Sequence, residues 1–252
     1  MVFAKYIFIT FLLTSSLGSF AFAVDKCQDL FIDRVLSYSN AKVSLIHDVN
    51  DMDASLMKLN VDWKEIKLRK KIGYGASGVV YEATFRGKNV AVKLIRNEHN
   101  LNGESNEIRG SVMIQKVLGE LNLTPKVIGV VSGAQLDIQY RNGIALIMEL
   151  VDTSNQLKVS TGNKITATHY ALLLREAKQI ESALSYLQVL PIDADGYIDA
   201  EGHLKIIDTS FYRYRPNYTG NISFYEQIKK HLYKNFIIVD QPQLSNKLRV
   251  AI

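Results

Sequence analysis

A glycine-rich segment between two strand-like stretches carries the clearest chemical pattern in the chain. Residues 72–80 read IGYGASGVV, which sets Gly73, Gly75 and Gly78 in a G-x-G-x-x-G-x-V arrangement. Glycines at this spacing let backbone N–H groups approach phosphate oxygens that a Cβ atom would hold at a distance. A dinucleotide-binding fingerprint has the same glycines, but it opens a helix, whereas a strand is predicted here. The pattern therefore indicates a phosphate-binding turn between two strands.

The next predicted strand supplies a cation. It contains the run VAVK at residues 90–93, so Lys93 lies on a strand that is expected to be half-buried. An ammonium group in such a place needs an acidic partner. The helix predicted after this strand offers Glu107, with Glu104 as the alternative. The order of these residues predicts a half-buried lysine that pairs with an acid of the following helix.

Three acids later in the chain could hold a metal ion or accept a proton. Asp208 ends a strand-like run, GHLKIID. Asp193 and Asp195 begin the run DADGYID, and oxygen ligands of this kind suit Mg²⁺. The second run also matches the middle of an EF-hand calcium loop, although the first and twelfth positions of that loop lack an acid. A third interpretation is that these acids only solvate a hairpin.

Four motifs together resemble the protein kinase superfamily over residues 63–211. They are the glycine segment, the VAVK strand, the run ALIMELV at residues 145–151 and the run that ends at Asp208. The resemblance implies an α+β, two-lobed protein-kinase-like fold with an antiparallel N-lobe sheet, a helix αC and a helical C-lobe. Few residues follow Asp208, and no A-P-E motif is among them. The C-lobe is therefore predicted to be reduced, as in the compact effector kinases that bacterial pathogens deliver into host cells.

The resemblance implies ATP as the ligand. In kinases, the lysine of the V-A-I-K strand holds the α- and β-phosphates and pairs with a glutamate of helix αC, roles that match Lys93 and Glu107. Met148 would be the gatekeeper residue, and the backbone of Glu149 and Val151 would face the adenine. The implied ATP-binding residues are Gly73, Gly75, Ser77, Gly78, Val80, Ala91, Lys93, Met148, Glu149 and Val151.

The same resemblance assigns the metal ligands and the base. Asp208 matches the metal-binding aspartate, with Asp195 as the second ligand of Mg²⁺ or Mn²⁺. The H-R-D catalytic loop is not matched, because counting back from Asp208 places Leu190 on its aspartate, and leucine cannot accept a proton. Asp193 is the predicted base instead, so the implied catalytic residues are Lys93, Glu107, Asp193 and Asp208. Thr and Ser at residues 209–210 replace the Phe-Gly pair of kinases.

Two functions follow from these matches and departures. The first is an exported enzyme that transfers the γ-phosphoryl group of ATP to a Ser or Thr hydroxyl of a protein substrate. The second is a pseudokinase, a nucleotide-regulated module that binds a protein partner. Leu190 favours the second function, whereas the intact glycine segment, Lys93 and Asp208 favour the first.

The N-terminal residues are expected to direct export. Residues 1–23 combine a lysine, an apolar run and an Ala-Phe-Ala cleavage site, which is typical of a secretory signal peptide. A helical extension is predicted over residues 24–60 and the kinase-like domain over residues 61–252. The mature protein is expected to be secreted or periplasmic, with no stable membrane span. Cys27 is the only cysteine, so no internal disulfide is predicted.

Composition and motif content argue against several other classes. The formal net charge is only +5 and the basic clusters are short, so no nucleic-acid partner is expected. The 5 histidines lack the i,i+4 and H-E-x-x-H spacings of zinc sites. The chain has no G-x-S-x-G motif, which argues against an α/β-hydrolase.

Apolar periodicity predicts the elements that must position these residues. Two short helices with a break at residues 50–53 precede a strand meander, and a helix that ends before Pro125 follows the meander. A second long helix, a hairpin and a last helix are predicted in the C-terminal half. The predicted strands are residues 65–72, 79–85, 89–95, 127–131 and either 135–139 or 144–150; the later elements are helix 168–187, hairpin 197–207 and helix 223–233.

Overall fold

The computed structural model describes residues 21–75, 78–95, 105–132, 144–159, 162–216, 220 and 222–239, with only the backbone for residues 21–35 and 105–107. The described protein is α+β. The chain divides into two compact units, Met1–Ser39 and Asn40–Ile252. Of the first unit, the structure describes the part of helix α1 (Ala21–Asn50) that ends at Ser39. The sheet and the remaining helices belong to the second unit.

A five-stranded antiparallel sheet forms the first half of this unit. Its strands are β1 (Ile66–Gly75), β2 (Gly78–Phe85), β3 (Lys88–Ile95), β4 (Val127–Ser132) and β5 (Ile144–Glu149), in the spatial order β1-β2-β3-β5-β4. The predicted meander and the strands at β4 and β5 are confirmed. The alternative strand at residues 135–139 lies outside the described residues. β3 is buried from Val90 to Ile95 because β2 and β5 flank it and apolar clusters cover both of its faces.

Helix α3 (Ser105–Glu120) follows the meander, as predicted, and contributes an apolar stripe to the main core. The helix ends in a turn at Asn122, whose φ of 57° is left-handed, a conformation that asparagine tolerates better than most residues. The Leu123 N–H donates to the Leu118 carbonyl and satisfies one of the last carbonyls of the helix. The buried residues of the stripe are Val112, Met113, Ile114, Val117 and Leu118.

The second half of the unit combines two helices with three two-stranded ladders. Helix α4 (Ala167–Tyr186) is capped by the Thr166 hydroxyl, and helix α5 (Phe224–Asn235) by Ser223, both close to the predicted positions. The predicted hairpin is present as β8 and β9. Sequence patterns did not predict the antiparallel β7–β10 pair or the parallel β6–β11 pair. The strands are β6 (Asn163–Thr166), β7 (Val189–Pro191), β8 (Gly196–Ile198), β9 (Leu204–Ile206), β10 (Tyr212–Tyr214) and β11 (Phe236–Val239).

The helical extension has the predicted break. Helix α1 ends at Asn50, and helix α2 (Met52–Leu59) begins after Asp51, whose carboxylate accepts the Ala54 N–H at 3.3 Å. The end of α1 and all of α2 lie in the same compact unit as the sheet. Among the residues that the structure describes, no helix is long and apolar enough to cross a membrane. Residues 1–20 lie outside that part, so the signal peptide stays a prediction.

A buried acid ties these helices to α3. Asp48 of α1 is 6% exposed, and its carboxylate accepts hydrogen bonds from Lys116 Nζ at 2.7 Å and from Ser55 Oγ at 2.8 Å. Burial alone would raise the pKa of Asp48, but the hydrogen bonds from Lys116 and Ser55 and the Lys116 charge hold that pKa below its ordinary value of 3.8. One carboxylate therefore joins α1, α2 and α3.

We expect Asp48→Ala to lower the free energy of unfolding by about 1–3 kcal/mol, because it removes the buried partner of Lys116 and Ser55. A carboxyl with a lowered folded pKa stabilises the fold fully above its unfolded pKa, and this contribution is lost as pH falls through the folded pKa. The difference between wild type and variant, measured by urea denaturation, should therefore be largest at neutral pH and shrink below about pH 4.

Asp53→Ala is the matched control. Its side chain is 77% exposed and forms an ion pair with Arg109 of α3, an exposed contact that is worth less than about 1 kcal/mol. An equal loss of stability in both variants would contradict the role assigned to Asp48.

Candidate functional site

Nearly all of the predicted site residues line one cleft of about 370 Å³. The sheet contributes Lys93, the apolar walls and the glycine turn, a name used for Gly73, Gly75 and Gly78. The segments after β5, β7 and β9 contribute most of the other residues of the lining. The predicted residues in the lining are Gly73, Gly75, Gly78, Val80, Ala91, Lys93, Met148, Glu149, Val151, Asp193, Asp195 and Asp208. Residues as distant in sequence as Gly73 and Asp208 therefore face one space.

Lys93 forms the central contact of the cleft. It lies on β3, is 7% exposed, and its Nζ donates to Asp208 Oδ1 and to Ser210 Oγ, each at 2.7 Å. The Ser210 N–H donates to the same Asp208 oxygen at 2.8 Å. Burial raises the pKa of Asp208, but the charge and hydrogen bond of Lys93 outweigh it and lower that pKa. The result is an ionised carboxylate beside an ammonium group.

The partner predicted for Lys93 was an acid of the next helix. Glu107 is in α3, but its side chain, Glu104 and Ser77 all lie outside the described residues, so that pairing stays a prediction. The contact with Asp208 was not predicted, because the two residues are 115 positions apart in the sequence.

Thr209, the residue after Asp208, anchors this segment to α3. Thr209 is 3% exposed, and its hydroxyl donates to Gln115 Oε1 at 2.7 Å. Gln115 Nε2 in turn donates to the Pro125 carbonyl at 3.1 Å. A buried, hydrogen-bonded threonine therefore fixes the backbone next to the acid.

Asp195 is the most enclosed acid of the cleft. It is 5% exposed and accepts hydrogen bonds from Gln156 Nε2 at 2.6 Å and from the Gly196 N–H at 2.8 Å. Burial raises the pKa of Asp195, and these hydrogen bonds together with the nearby charges of Lys158 and His231 offset only part of the rise. The Ile207 N–H donates to the Asp195 carbonyl at 3.3 Å, which places this residue beside the segment that carries Asp208.

Asp193 lies in the same cleft and is more open. Its Oδ1 accepts a hydrogen bond from Lys158 Nζ at 2.6 Å, and the side chains of Asp193 and Lys158 are 51% and 29% exposed. Lys158 belongs to no motif, and nothing in the sequence pattern predicted it.

Leu190 does not face this cleft. It lies in β7, paired with Arg213 of β10, and borders a second cavity of about 540 Å³. Among the described residues of its lining are none of the predicted site residues and a single carboxylate, Glu181, which is bonded to the Ser223 hydroxyl and the Tyr225 N–H. Asp193, in contrast, lines the first cleft.

Helix α5 holds the loop that carries the acids. Gln227 Oε1 accepts the Ala194 N–H at 2.9 Å, and its Nε2 donates to the Pro191 carbonyl at 3.1 Å. Two turns later, Asn235 Nδ2 donates to the Leu157 carbonyl at 2.6 Å. His231 lies between them, and burial lowers its pKa. Sequence analysis missed the polar stripe that Gln227, His231 and Asn235 form at i,i+4 spacing beside the apolar face of this helix.

The calcium-loop alternative finds no support in the hairpin. Asp199 Oδ1 accepts the N–H groups of Glu201 and His203, at 3.1 Å and 2.8 Å, so this acid caps the β8–β9 turn. Within the described ranges, no group of three or more His, Cys, Asp or Glu side chains is arranged to hold a metal ion. Asp193 and Asp195 face the cleft, whereas Asp199 does not line it.

The chain matches no protein-family model, and no curated protein matches it significantly.

Proposed function

We propose that residues 61–252 form a two-lobed, protein-kinase-like phosphotransferase that binds ATP and transfers its γ-phosphoryl group to a Ser or Thr hydroxyl of a protein. The observation that carries the proposal is the Lys93–Asp208 ion pair in one cleft with the glycine turn. The antiparallel sheet and the helix that follows its third strand support the same fold. The signal at residues 1–23 adds the proposal that the enzyme is exported.

The lining of the cleft suits a nucleotide. Val80, Ala91 and Met148 provide apolar walls for a base, and Glu149 and Val151, whose backbone would face the adenine, line the cleft beside them. Lys93 provides a donor for phosphates, and the glycine turn would add backbone N–H groups. An apolar part with a few polar groups beside a cationic part is the arrangement that a nucleoside polyphosphate needs.

The charges of the cleft favour a metal–nucleotide complex over the free nucleotide. Among the described residues of the lining, the acids Glu149, Asp193, Asp195 and Asp208 outnumber the lysines Lys93 and Lys158, so a polyphosphate alone would meet an excess of negative charge. Mg²⁺ or Mn²⁺, when bound, would offset the charge of the phosphate oxygens. Asp208 fits the role of ligand because it is ionised and its side chain is 37% exposed. Asp195 fits less well, because it is only 5% exposed and burial raises its pKa.

The reaction needs one proton acceptor. A bond forms between the substrate hydroxyl oxygen and the γ-phosphorus, the bond from that phosphorus to the β-phosphate oxygen breaks, and ADP leaves. The hydroxyl proton would pass to Asp193, which lies in the cleft and is open enough to meet a substrate.

The second candidate is a pseudokinase, a nucleotide-binding module for a protein partner. It is favoured by Leu190, on which the count back from Asp208 places the kinase base, and which borders a different cavity. In that case Asp193 would serve only as the partner of Lys158.

We expect Asp193→Asn to retain ATP binding and to lower phosphoryl transfer by at least about 10²-fold, because an amide cannot accept the proton. The assay is incubation of the protein with γ-labelled ATP and Mg²⁺ or Mn²⁺, with label counted on the chain and on added protein. Nucleotide binding is measured separately by calorimetry.

Glu201→Gln is the control, since it makes the same change at an exposed acid outside the cleft. Label that appears with wild type and with the control, but not with Asp193→Asn, supports the enzyme. Nucleotide binding without any label supports the module, and no nucleotide binding at all rejects both.

A further inference from the structure

Lys158 is the one cation of the cleft lining, among the described residues, that no motif assigns a role. The other lysine in the lining, Lys93, already bonds Asp208 and Ser210. Lys158 Nζ lies 2.6 Å from Asp193 Oδ1, with both side chains partly exposed. An ion pair that is open to solvent is worth little to stability, so the fold does not require it.

The backbone on both sides of this pair is fixed from one element. Asn235 of α5 is 7% exposed and bonds the Leu157 carbonyl, the residue before Lys158. Gln227 of the same helix bonds the Ala194 N–H, the residue after Asp193. The Leu157 N–H also donates to the Gly196 carbonyl at 2.7 Å. Only the four-carbon stem of Lys158 is left to move, and it carries its ammonium on several rotatable bonds.

A terminal phosphate can bind the Lys158 ammonium more strongly than the Asp193 carboxylate does. A carboxylate carries one negative charge, whereas the terminal phosphate of a nucleoside triphosphate carries nearly two and presents three acceptor oxygens. A diphosphate or monophosphate held by the same base and the same glycine turn ends one or two groups earlier. The exchange of partners is therefore specific for the longest phosphate chain.

We propose that Lys158 binds the terminal phosphate of the nucleoside triphosphate and leaves Asp193 to do so. The inference rests on the proposed function, since it requires a nucleotide in this cleft. Departure of the ammonium vacates the Asp193 oxygen, which can then accept the hydrogen bond of a substrate hydroxyl. Lys158 thus makes the Asp193 carboxylate free to act as the base only when a triphosphate is bound in the cleft.

The test compares the affinities of ATP, ADP and AMP, each with Mg²⁺, by calorimetry. Lys158→Met should weaken ATP at least about tenfold and leave ADP and AMP within about twofold of wild type, because only the terminal phosphate loses a charged donor. Lys158→Arg should restore most of the ATP affinity. Lys178→Met, at a lysine outside the cleft whose side chain is 57% exposed, makes the same charge change and should leave all three affinities unchanged.

A second variant tests the exchange itself. Asp193→Asn should tighten ATP binding, because Lys158 no longer has to leave a carboxylate, and this gain should vanish in the Lys158→Met background. Equal losses of ATP, ADP and AMP in Lys158→Met would overturn the inference while leaving the nucleotide cleft intact. An unchanged ATP affinity in that variant would do the same. Wild type that binds none of the three nucleotides would instead overturn the proposed function, and this inference with it.

Discussion

Lys93→Ala is expected to abolish detectable binding of Mg²⁺–ATP and to lower phosphoryl transfer by at least about 10²–10³-fold. Lys93 is the buried cation of the cleft, and its ammonium would bridge the nucleotide phosphates and the acid that holds the metal ion. Without Lys93, Lys158 is the one cation among the described residues of the lining that offsets the carboxylates there. The loss of Lys93 also removes the charge that lowers the pKa of Asp208, so that pKa should rise toward the value that burial favours.

Lys88→Ala is the matched control for this variant. Lys88 lies at the exposed start of the same strand, β3, and does not line the cleft. Calorimetry measures the ATP affinity of each variant, and a thermal melt shows whether the variant is folded. Together they distinguish a damaged binding site from an unfolded protein. Normal ATP affinity in a folded Lys93→Ala protein would remove the observation on which the proposed function depends.

The residues of the site were predictable where local sequence determines a local structure. Several of the glycines and acids that sequence analysis chose stand at or close to the end of a strand, as Gly75 and Asp208 do. Short antiparallel strands place these residues along the lining of the cleft. The meander β1–β2–β3 and the hairpin β8–β9 are both of this kind, and both were predicted.

The parts that were missed depend on contacts between distant segments. Lys158 has no motif, and its importance follows only from its position against Asp193. The parallel β6–β11 ladder joins strands that are separated by helices α4 and α5, and strands of three or four residues leave little periodicity to detect. The polar stripe of α5 was masked by a stronger apolar pattern. Its side chains bond backbone groups, which no sequence pattern identifies as partners.

Helix α3 connects the extension to the cleft through neighbouring residues. Lys116 bonds Asp48 of α1, and Gln115 accepts the hydrogen bond of Thr209, which stands next to Asp208. The two contacts leave α3 in different directions, one to the helical extension and one to the segment that holds the acid. The buried Asp48, a residue of the predicted extension, lies in the same compact unit as the site.

Gly78→Ala is expected to have the largest effect on stability, a loss of roughly 2–5 kcal/mol. Gly78 has a φ of 149°, a conformation that residues with a Cβ rarely adopt. A Cβ there would lie 2.0 Å from the Leu94 carbonyl oxygen and 3.2 Å from the Ile95 Cα. Both atoms belong to the backbone of β3, which pairs with β2 from Gly78 onward, so neither can yield without opening the ladder. Urea denaturation gives the loss, and amide hydrogen exchange should show faster opening at Leu94 and Ile95.

Gly75→Ala tests phosphate binding by the glycine turn separately from the contribution of this turn to stability. A Cβ on Gly75 meets no atom of the described residues within 4 Å, so the free energy of unfolding should change by less than about 0.5 kcal/mol. Gly75 lines the cleft, however, and the added methyl group would hold phosphate oxygens away from the backbone N–H groups of the turn. We therefore expect Gly75→Ala to keep its stability and to bind ATP at least about tenfold more weakly. A Gly75→Ala protein with wild-type ATP affinity would show that this turn does not bind phosphates. A Gly78→Ala protein with wild-type stability would show that the fold does not require the close approach of β2 to β3.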